Sequence, residues 1–136
     1  MKIKVPENKV SFKHSFKVKL HDIDTLNHVN NIVYLQWVQE IAYMHWDELA
    51  SPAMKEDYIW MVLRHEIDYL SQSYVGDTIT IYTWIDESAG VKSARIVHIY
   101  CDDKILTKSK TTFCLLDKET LKPKRIGNDI LELFTK

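Results

Sequence analysis

The residues in this chain whose types suit catalysis are gathered in one short polar turn. Asp22, Asp24, His28, Asn30 and Asn31 lie directly ahead of the longest helical pattern in the sequence. The first backbone N–H groups of a helix lack intrahelical partners and favour negative charge. A carboxylate beside such a helix start is the minimum arrangement for attack on an activated carbonyl.

The same turn also has a purely structural interpretation. Asn30 or Asn31 would cap the helix with its side-chain oxygen, and the two aspartates and His28 would form a solvated loop. Polar residues before a helix are common, so the residue types alone favour this interpretation.

A longer pattern shifts the balance towards catalysis. DxDxxxHVNNxxYLxW, beginning at Asp22, resembles the signature of hotdog-fold acyl thioesterases. These include the 4-hydroxybenzoyl-CoA and YbgC-like thioesterases, and the acyl-ACP thioesterases, whose DLDxNxHVNN run is particularly similar. Residues 66–84 also resemble the family's second and third strands, with a Tyr, a Gly-Asp pair and then alternating β-branched residues. The likeness covers roughly the whole chain.

The resemblance implies hydrolysis of an acyl thioester, carried by coenzyme A or by acyl carrier protein (ACP), without a metal or organic cofactor. Asp24 would be the nucleophile or the general base, and the backbone N–H of Asn31 the oxyanion donor. His28 would polarise the carbonyl or position water, or would only stabilise the turn. Asn27 stands where many relatives have Gly. Asn tolerates positive φ, and its amide could instead orient water in the site.

Contacts with the rest of the substrate are harder to assign. The helix and strands should line an acyl pocket with aromatic residues, for which the candidates are Tyr34, Trp37, Trp60 and Tyr69. Glu66 is a further candidate for substrate binding, although Glu66 and His65 also fit a solvent-facing strand pair. Several cations could bind the phosphates of coenzyme A, among them Arg64 and Arg95, and nothing singles one out.

Composition narrows the possible partners. A net charge of −1 with interspersed signs predicts no nucleic-acid binding and gives no basic patch for ACP. Cys101 and Cys114 fall within strand-like runs, which indicates free thiols in a reducing compartment. The histidines are scattered and there is no CxxC pair, so no metal site is expected. No signal segment or run of about 18 apolar residues is present, which predicts a cytoplasmic protein without a membrane span.

The hydrophobic pattern predicts an α+β fold in a single domain, residues 1–136. Its helix should end near Ser51-Pro52. A curved antiparallel sheet of about five strands should wrap this one long helix, and the resemblance names the arrangement hotdog. The expected segments are a loose arm or a short edge segment over 1–10, strands over 11–20, 59–70, 77–86, 94–101 and 105–117, a connector over 52–58, a loop over 87–93 and a short last helix capped by Asn128.

The exposed sheet edges and the resemblance together predict a homodimer or homotetramer with the active site at a subunit interface. A non-catalytic acyl-binding module on the same scaffold is the alternative from a different class, because fold does not fix function.

Overall fold

The structure, a computed structural model, describes residues 5–136. Its elements in chain order are β1 (Phe12–Lys17), α1 (Asn31–Leu49), α2 (Pro52–Asp57), β2 (Tyr58–Tyr69), β3 (Thr78–Ala89), β4 (Lys92–Cys101), β5 (Lys104–Asp117) and α3 (Asn128–Phe134). The strands form one antiparallel sheet in the order β1-β3-β4-β5-β2. The predicted α+β fold with five antiparallel strands and one long helix is confirmed.

Helix α1 has the boundaries that its sequence predicts. Asn30 is the N-cap, and its side-chain oxygen accepts a hydrogen bond from the backbone N–H of Ile32 at 3.0 Å. The helix ends at Leu49, just before the Ser51-Pro52 pair. Its buried face consists of Tyr34, Trp37, Val38, Ile41, Ala42 and His45. The opposite stripe, which is exposed, consists of Gln36, Glu40, Tyr43 and Asp47.

The core has two parts, one under each half of α1. The first half of the helix packs on the middle of the sheet, where Ile79, Ile81, Val97 and Ile99 are almost fully buried. The second half of the helix reaches a separate cluster that α3 closes from the chain's end. Its buried members are Ile85, Leu115, Ile126, Ile130 and Phe134. The two ends of α1 therefore lie in different surroundings.

Two predicted irregular segments are in fact regular. Residues 52–58 were expected to be a connector, but Pro52–Asp57 forms α2, because Ser51 Oγ caps it by accepting from the N–H of Met54 at 3.2 Å. Residues 87–93 were expected to be a loop. Strands β3 and β4 instead continue through most of it and join at a tight turn, where Gly90 takes a φ of +63°.

Smaller differences concern the ends of elements. The first strand stops at Lys17, and Leu20–Asp22 forms a single 3-10 turn. The residue preceding α3 is Gly127, so the prediction that Asn128 caps this helix is wrong. Both cysteines are free thiols, with Cys114 buried and Cys101 half-buried, as predicted.

The chain's first segment is tied to its last. Residues 1–4, part of the predicted loose arm, lie outside the described residues. The remainder of the arm pairs with the C-terminus: Lys9 bridges Thr135, and the N–H of Val10 donates to the carbonyl of Phe134 at 3.1 Å. Of the two alternatives expected for this segment, its described part takes the short edge.

Candidate active site

The polar turn before α1 is a tightly closed loop. Ile23 and Val29 form an isolated antiparallel bridge across its base. Inside it, the N–H of Asp24 donates to the carbonyl of His28 at 2.8 Å, and outside it the N–H of Asn30 donates to the carbonyl of Asp22 at 2.9 Å. Two short backbone bonds flanking a bridge fix the position of Asp24 relative to the helix start.

The carboxylate of Asp24 is oriented through one of its two oxygens. Its Oδ1 accepts from the backbone N–H of Leu26 at 2.8 Å and from that of His28 at 3.3 Å. Its Oδ2 makes no hydrogen bond with the described residues, and the side chain is half-buried. One oxygen thus holds the group in place while the other is free to act on a substrate or a water molecule.

Asp22 has a different environment from Asp24. It is 8% exposed, and its Oδ2 accepts from the backbone N–H of Lys19 at 2.9 Å. Its Oδ1 lies 3.3 Å from Nε2 of His21. Asp22 therefore stabilises the 3-10 turn.

His28 and Asn27 occupy the tip of the loop. The imidazole of His28 is half-buried and packs edge-on against the ring of Tyr74, with centroids 5.4 Å apart. Neither ring nitrogen is hydrogen-bonded to a described residue, so both are free for a substrate. Asn27 is exposed with a φ of +64°, so it takes the positive φ that the sequence predicts at this position.

Asn31 is the first residue of α1 and is exposed. As the first helical N–H, it has no intrahelical acceptor and is directed out of the helix start. Its carbonyl accepts a hydrogen bond from the hydroxyl of Tyr69 at 3.1 Å. This bond attaches the last residue of β2 to the start of α1.

Two further residues were predicted to bind substrate, Tyr34 and Glu66. Tyr34 is 1% exposed, and its hydroxyl lies 2.6 Å from Oγ of Ser73; burial raises the pKa of its phenol. Glu66 is exposed on the face of β2 that points away from α1, where it pairs with Arg64 at 3.3 Å. The structure thus gives Tyr34 a core position and Glu66 a surface one.

The prediction that His65 and Glu66 both face solvent is only half correct. A β-bulge between Val62 and Arg64 reverses the alternation of faces along β2. After the bulge His65 faces α1, and its Nδ1 lies 2.8 Å from Oγ1 of Thr111. Burial lowers the pKa of His65.

A cavity lies at the other end of α1. It has a volume of about 440 Å³ and is enclosed by the second half of α1, by α2 and by the inner faces of β2, β4 and β5. Its aromatic walls come from Trp46, Tyr58, Trp60 and Phe113. Of the aromatic residues predicted to line an acyl pocket, Trp60 does so here, whereas Trp37 is buried in the first core cluster.

A buried polar cluster that the sequence did not predict forms part of this cavity. Arg95 lines the cavity and is only 4% exposed, which rules it out as a surface ligand for phosphates. Its Nη1 lies 2.9 Å from Nδ1 of His45 and 3.0 Å from Oγ1 of Thr83. The sequence contains one weak signal that Arg95 is buried: it lies on the same face of β4 as two inward-facing residues, Val97 and Ile99.

The family model of the acyl-ACP thioesterase N-terminal domain matches residues 9–134. The chain belongs to this family. The predicted reaction class, thioester hydrolysis on a hotdog scaffold, is therefore confirmed, and it agrees with the turn that precedes α1.

The proteins that resemble this chain are named for both kinds of acyl carrier. The chain is 24% identical to a chloroplastic acyl-[acyl-carrier-protein] hydrolase of Cuphea viscosissima, over 89% of its own length and 32% of that enzyme's. It thus spans about a third of the plant enzyme. It is 22% identical to a long-chain acyl-CoA thioesterase of Escherichia coli, over 85% of its own length and 91% of that protein's.

The fold matches solved structures of the same type. A 1,4-dihydroxy-2-naphthoyl-CoA thioesterase from Synechocystis superposes with a TM-score of 0.78 at 15% identity, covering 91% of this chain and 95% of that one. In residues 5–136, no helix is long and apolar enough to cross a membrane. The same part of the chain contains no cluster of three His, Cys, Asp or Glu side chains suited to a metal.

Proposed function

We propose that this protein hydrolyses an acyl thioester with Asp24 as the general base or nucleophile. The observation that carries the proposal is the asymmetric carboxylate: one oxygen is held by two backbone N–H groups and the other has no bond to a described residue. The N–H of Asn31 would stabilise the oxyanion, a contribution of about 3 kcal/mol to the barrier. His28, with free ring nitrogens, would polarise the carbonyl or position water.

Asp24 and the deep part of the cavity are well separated within a single chain. From Asn31, α1 rises about 12 Å to Gln39, where the cavity lining begins, and about 22 Å to Trp46. A dimer removes this separation. One edge of β2 pairs with β5, and its other edge is unpaired among the strands of residues 5–136. An exposed edge twelve residues long is normally covered or paired.

Antiparallel pairing of two β2 strands about a two-fold axis would bring the two halves of the site together. The start of β2, at Tyr58 and Trp60, lines the cavity, and its end, at Tyr69, is bonded to the helix start. Pairing start against end would therefore set the cavity of one subunit beside Asp24 of the partner subunit. We propose a homodimer with two such sites.

An apolar stripe on the outer face of β2 gives a further surface for assembly. Ile59, Met61 and Leu63 are exposed by 37%, 44% and 45%. Two dimers stacked through these stripes would make the homotetramer. The oligomeric state would be measured by light scattering, and charged substitutions in the stripe would reduce a tetramer to dimers.

The direct test is free-thiol release from a panel of short, long and aromatic acyl-CoAs. Asp24→Asn should lower the rate by about 100-fold or more, because it removes the proton acceptor and keeps the shape. Glu66→Gln is the matched control and should retain wild-type rates, since its side chain faces away from α1. Equal rates for wild type and Asp24→Asn would contradict the assignment.

The carrier is the second variable in this test. The family match favours ACP, whereas the Escherichia coli relative is named for acyl-CoA, so the same acyl groups should be offered on both carriers. Turnover on ACP alone would define an acyl-ACP thioesterase. Acyl binding without turnover on either carrier would make the chain a non-catalytic acyl-binding module. A cytoplasmic location stays a prediction, which fractionation of cells would check.

A further inference from the structure

The cavity at the far end of α1 contains a buried cation without a counter-charge. Arg95 is 4% exposed and forms part of the wall of an otherwise largely aromatic and aliphatic space. No ion pair of the described residues includes it. The acidic residue that also lines the cavity, Asp47, pairs with Lys55 at 3.0 Å. Buried charges in proteins are normally paired, so an unpaired one needs an explanation.

The partners that Arg95 does have are neutral. Its Nη1 contacts Nδ1 of His45 and Oγ1 of Thr83. Nδ1 of His45 must accept this bond, because a guanidinium has no acceptor, so the imidazole proton lies on Nε2. Burial lowers the pKa of Arg95 to about 9 and, with the nearby guanidinium, that of His45 to about 3. At neutral pH the cluster thus carries one uncompensated positive charge.

The free side of the guanidinium has the shape of a carboxylate site. Both hydrogen bonds of the guanidinium come from Nη1, and Nε and Nη2 have no hydrogen-bond partner among residues 5–136. These two nitrogens carry parallel N–H groups that match the two oxygens of a carboxylate. In the described part of the chain, the fully enclosed side-chain N and O atoms without a partner are His45 Nε2 and Thr107 Oγ1. Nε and Nη2 of Arg95 are not among them, so these two unpaired nitrogens keep some accessible surface.

Building on the proposed function, we propose that the cavity selects an acyl group whose far end carries a carboxylate, and that Arg95 binds this carboxylate through Nε and Nη2. The aromatic walls would hold the methylene chain, and the thioester would lie at the cavity mouth. A plain fatty acyl chain would leave the cation unpaired beside a methyl group, which is the arrangement that a polar site rejects most strongly.

The probes are three coenzyme A thioesters of one chain length: octanoyl, 8-hydroxyoctanoyl and the mono-thioester of suberic acid, with shorter and longer homologues of each. For wild type we expect kcat/KM to favour the carboxylate by about 10- to 100-fold over octanoyl, the effect of a charge-assisted bidentate bond. Arg95→Met should reverse the order, and Arg95→Lys should give an intermediate preference because it keeps the charge without the fork.

Arg125→Met is the matched control, since Arg125 is an exposed arginine before α3, and it should keep the wild-type preference. Binding supplies a second measurement that does not depend on turnover. In the Asp24→Asn background, calorimetry should show tighter binding of the suberic thioester than of the octanoyl thioester, and Arg95→Met should abolish the difference. The proposal would be overturned if the protein that retains Arg95 bound all three probes equally, or if the preference stayed the same after Arg95→Met.

The two proposals fail in different ways. Absence of turnover on every probe with a carboxylate preference intact in binding would reject the thioesterase assignment and keep the role of Arg95. Turnover of octanoyl and suberic thioesters at equal rates would reject the role of Arg95 and keep the thioesterase assignment. If Arg95→Met fails to fold, the ordering of the three probes in wild type and Arg95→Lys still decides the question.

Discussion

Each end of α1 lies beside one charged side chain that the proposals use, and the two side chains are held in different ways. At the start, Asp24 is fixed by backbone N–H groups within four residues of itself. At the far end, Arg95 is fixed by His45 and Thr83, which are 50 and 12 residues away. One site is built by a local loop and the other by the meeting of a helix with two strands.

Under the two proposals, the local loop carries out the reaction and the cavity between helix and sheet selects the substrate. A closed loop at a helix start can present one carboxylate in a reproducible geometry, whatever the rest of the sheet contains. A cavity between helix and sheet depends on side chains from many elements, so its lining can change without disturbing the loop. We infer that the start of α1 sets the chemistry and its far end sets the substrate.

Replacing each of the two aspartates of the turn separately should give the largest effect. Asp24→Asn should reduce turnover by about 100-fold or more with little change in stability. Asp22→Asn should do the opposite, costing about 1–2 kcal/mol of unfolding free energy because a carboxylate bond to the N–H of Lys19 is weakened. Acyl-CoA turnover and urea denaturation on both variants test this; a similar loss of turnover in both would contradict the distinction.

Acid should weaken the far end of α1. The pKa of His45 is about 3 in the folded chain and 6.5 in the unfolded chain, so the unfolded state binds the extra proton between these values. Stability from this residue is present above pH 6.5 and is lost as the pH falls towards 3. Between pH 7.5 and 4.5 the loss should be about 2 kcal/mol.

His45→Gln isolates this contribution, because an amide can accept from Arg95 and does not titrate. Urea unfolding at both pH values should show a smaller acid loss in the variant than in wild type, by about 2 kcal/mol. The carboxylates common to both proteins cancel in the comparison. Parallel pH profiles would show that His45 is not held neutral by its burial.

The smallest expected effect concerns the backbone of the turn. Asn27 has a φ of +64°, so Asn27→Gly should leave stability unchanged or raise it slightly, while Asn27→Ala should cost about 1 kcal/mol. Thermal unfolding measures both. Turnover that survives in Asn27→Gly would limit Asn27 to a conformational role; turnover lost in Asn27→Gly at full stability would give its amide a place in the chemistry.

What the sequence could predict follows the same division. A cap at Asn30 or Asn31, a positive φ tolerated at Asn27 and the succession of strands and helices along the chain depend on neighbours in the sequence, and the structure agrees with them. The pairing of His45 with Arg95 depends on the sheet, so a single sequence gave no basis for it. The inward position of His65 was missed for a related reason: a bulge reverses which residues of β2 face α1, and the alternation of residue types does not indicate it.

The most direct test of the two-ended site uses a mixed dimer. Asp24→Asn removes the base and leaves the cavity open, whereas Ser93→Phe would fill the cavity from β4 and leave Asp24 intact, since Ser93 is 2% exposed in its wall. Each variant alone should be folded, dimeric and almost inactive. The two would be co-expressed with different tags and purified through both.

If each site combines Asp24 of one subunit with the cavity of its partner subunit, the mixed dimer contains one intact site and should recover about half of the wild-type turnover per dimer. If both halves of a site come from the same chain, every site in the mixed dimer is defective and turnover should stay at the level of the single variants. The second result would contradict the arrangement proposed here.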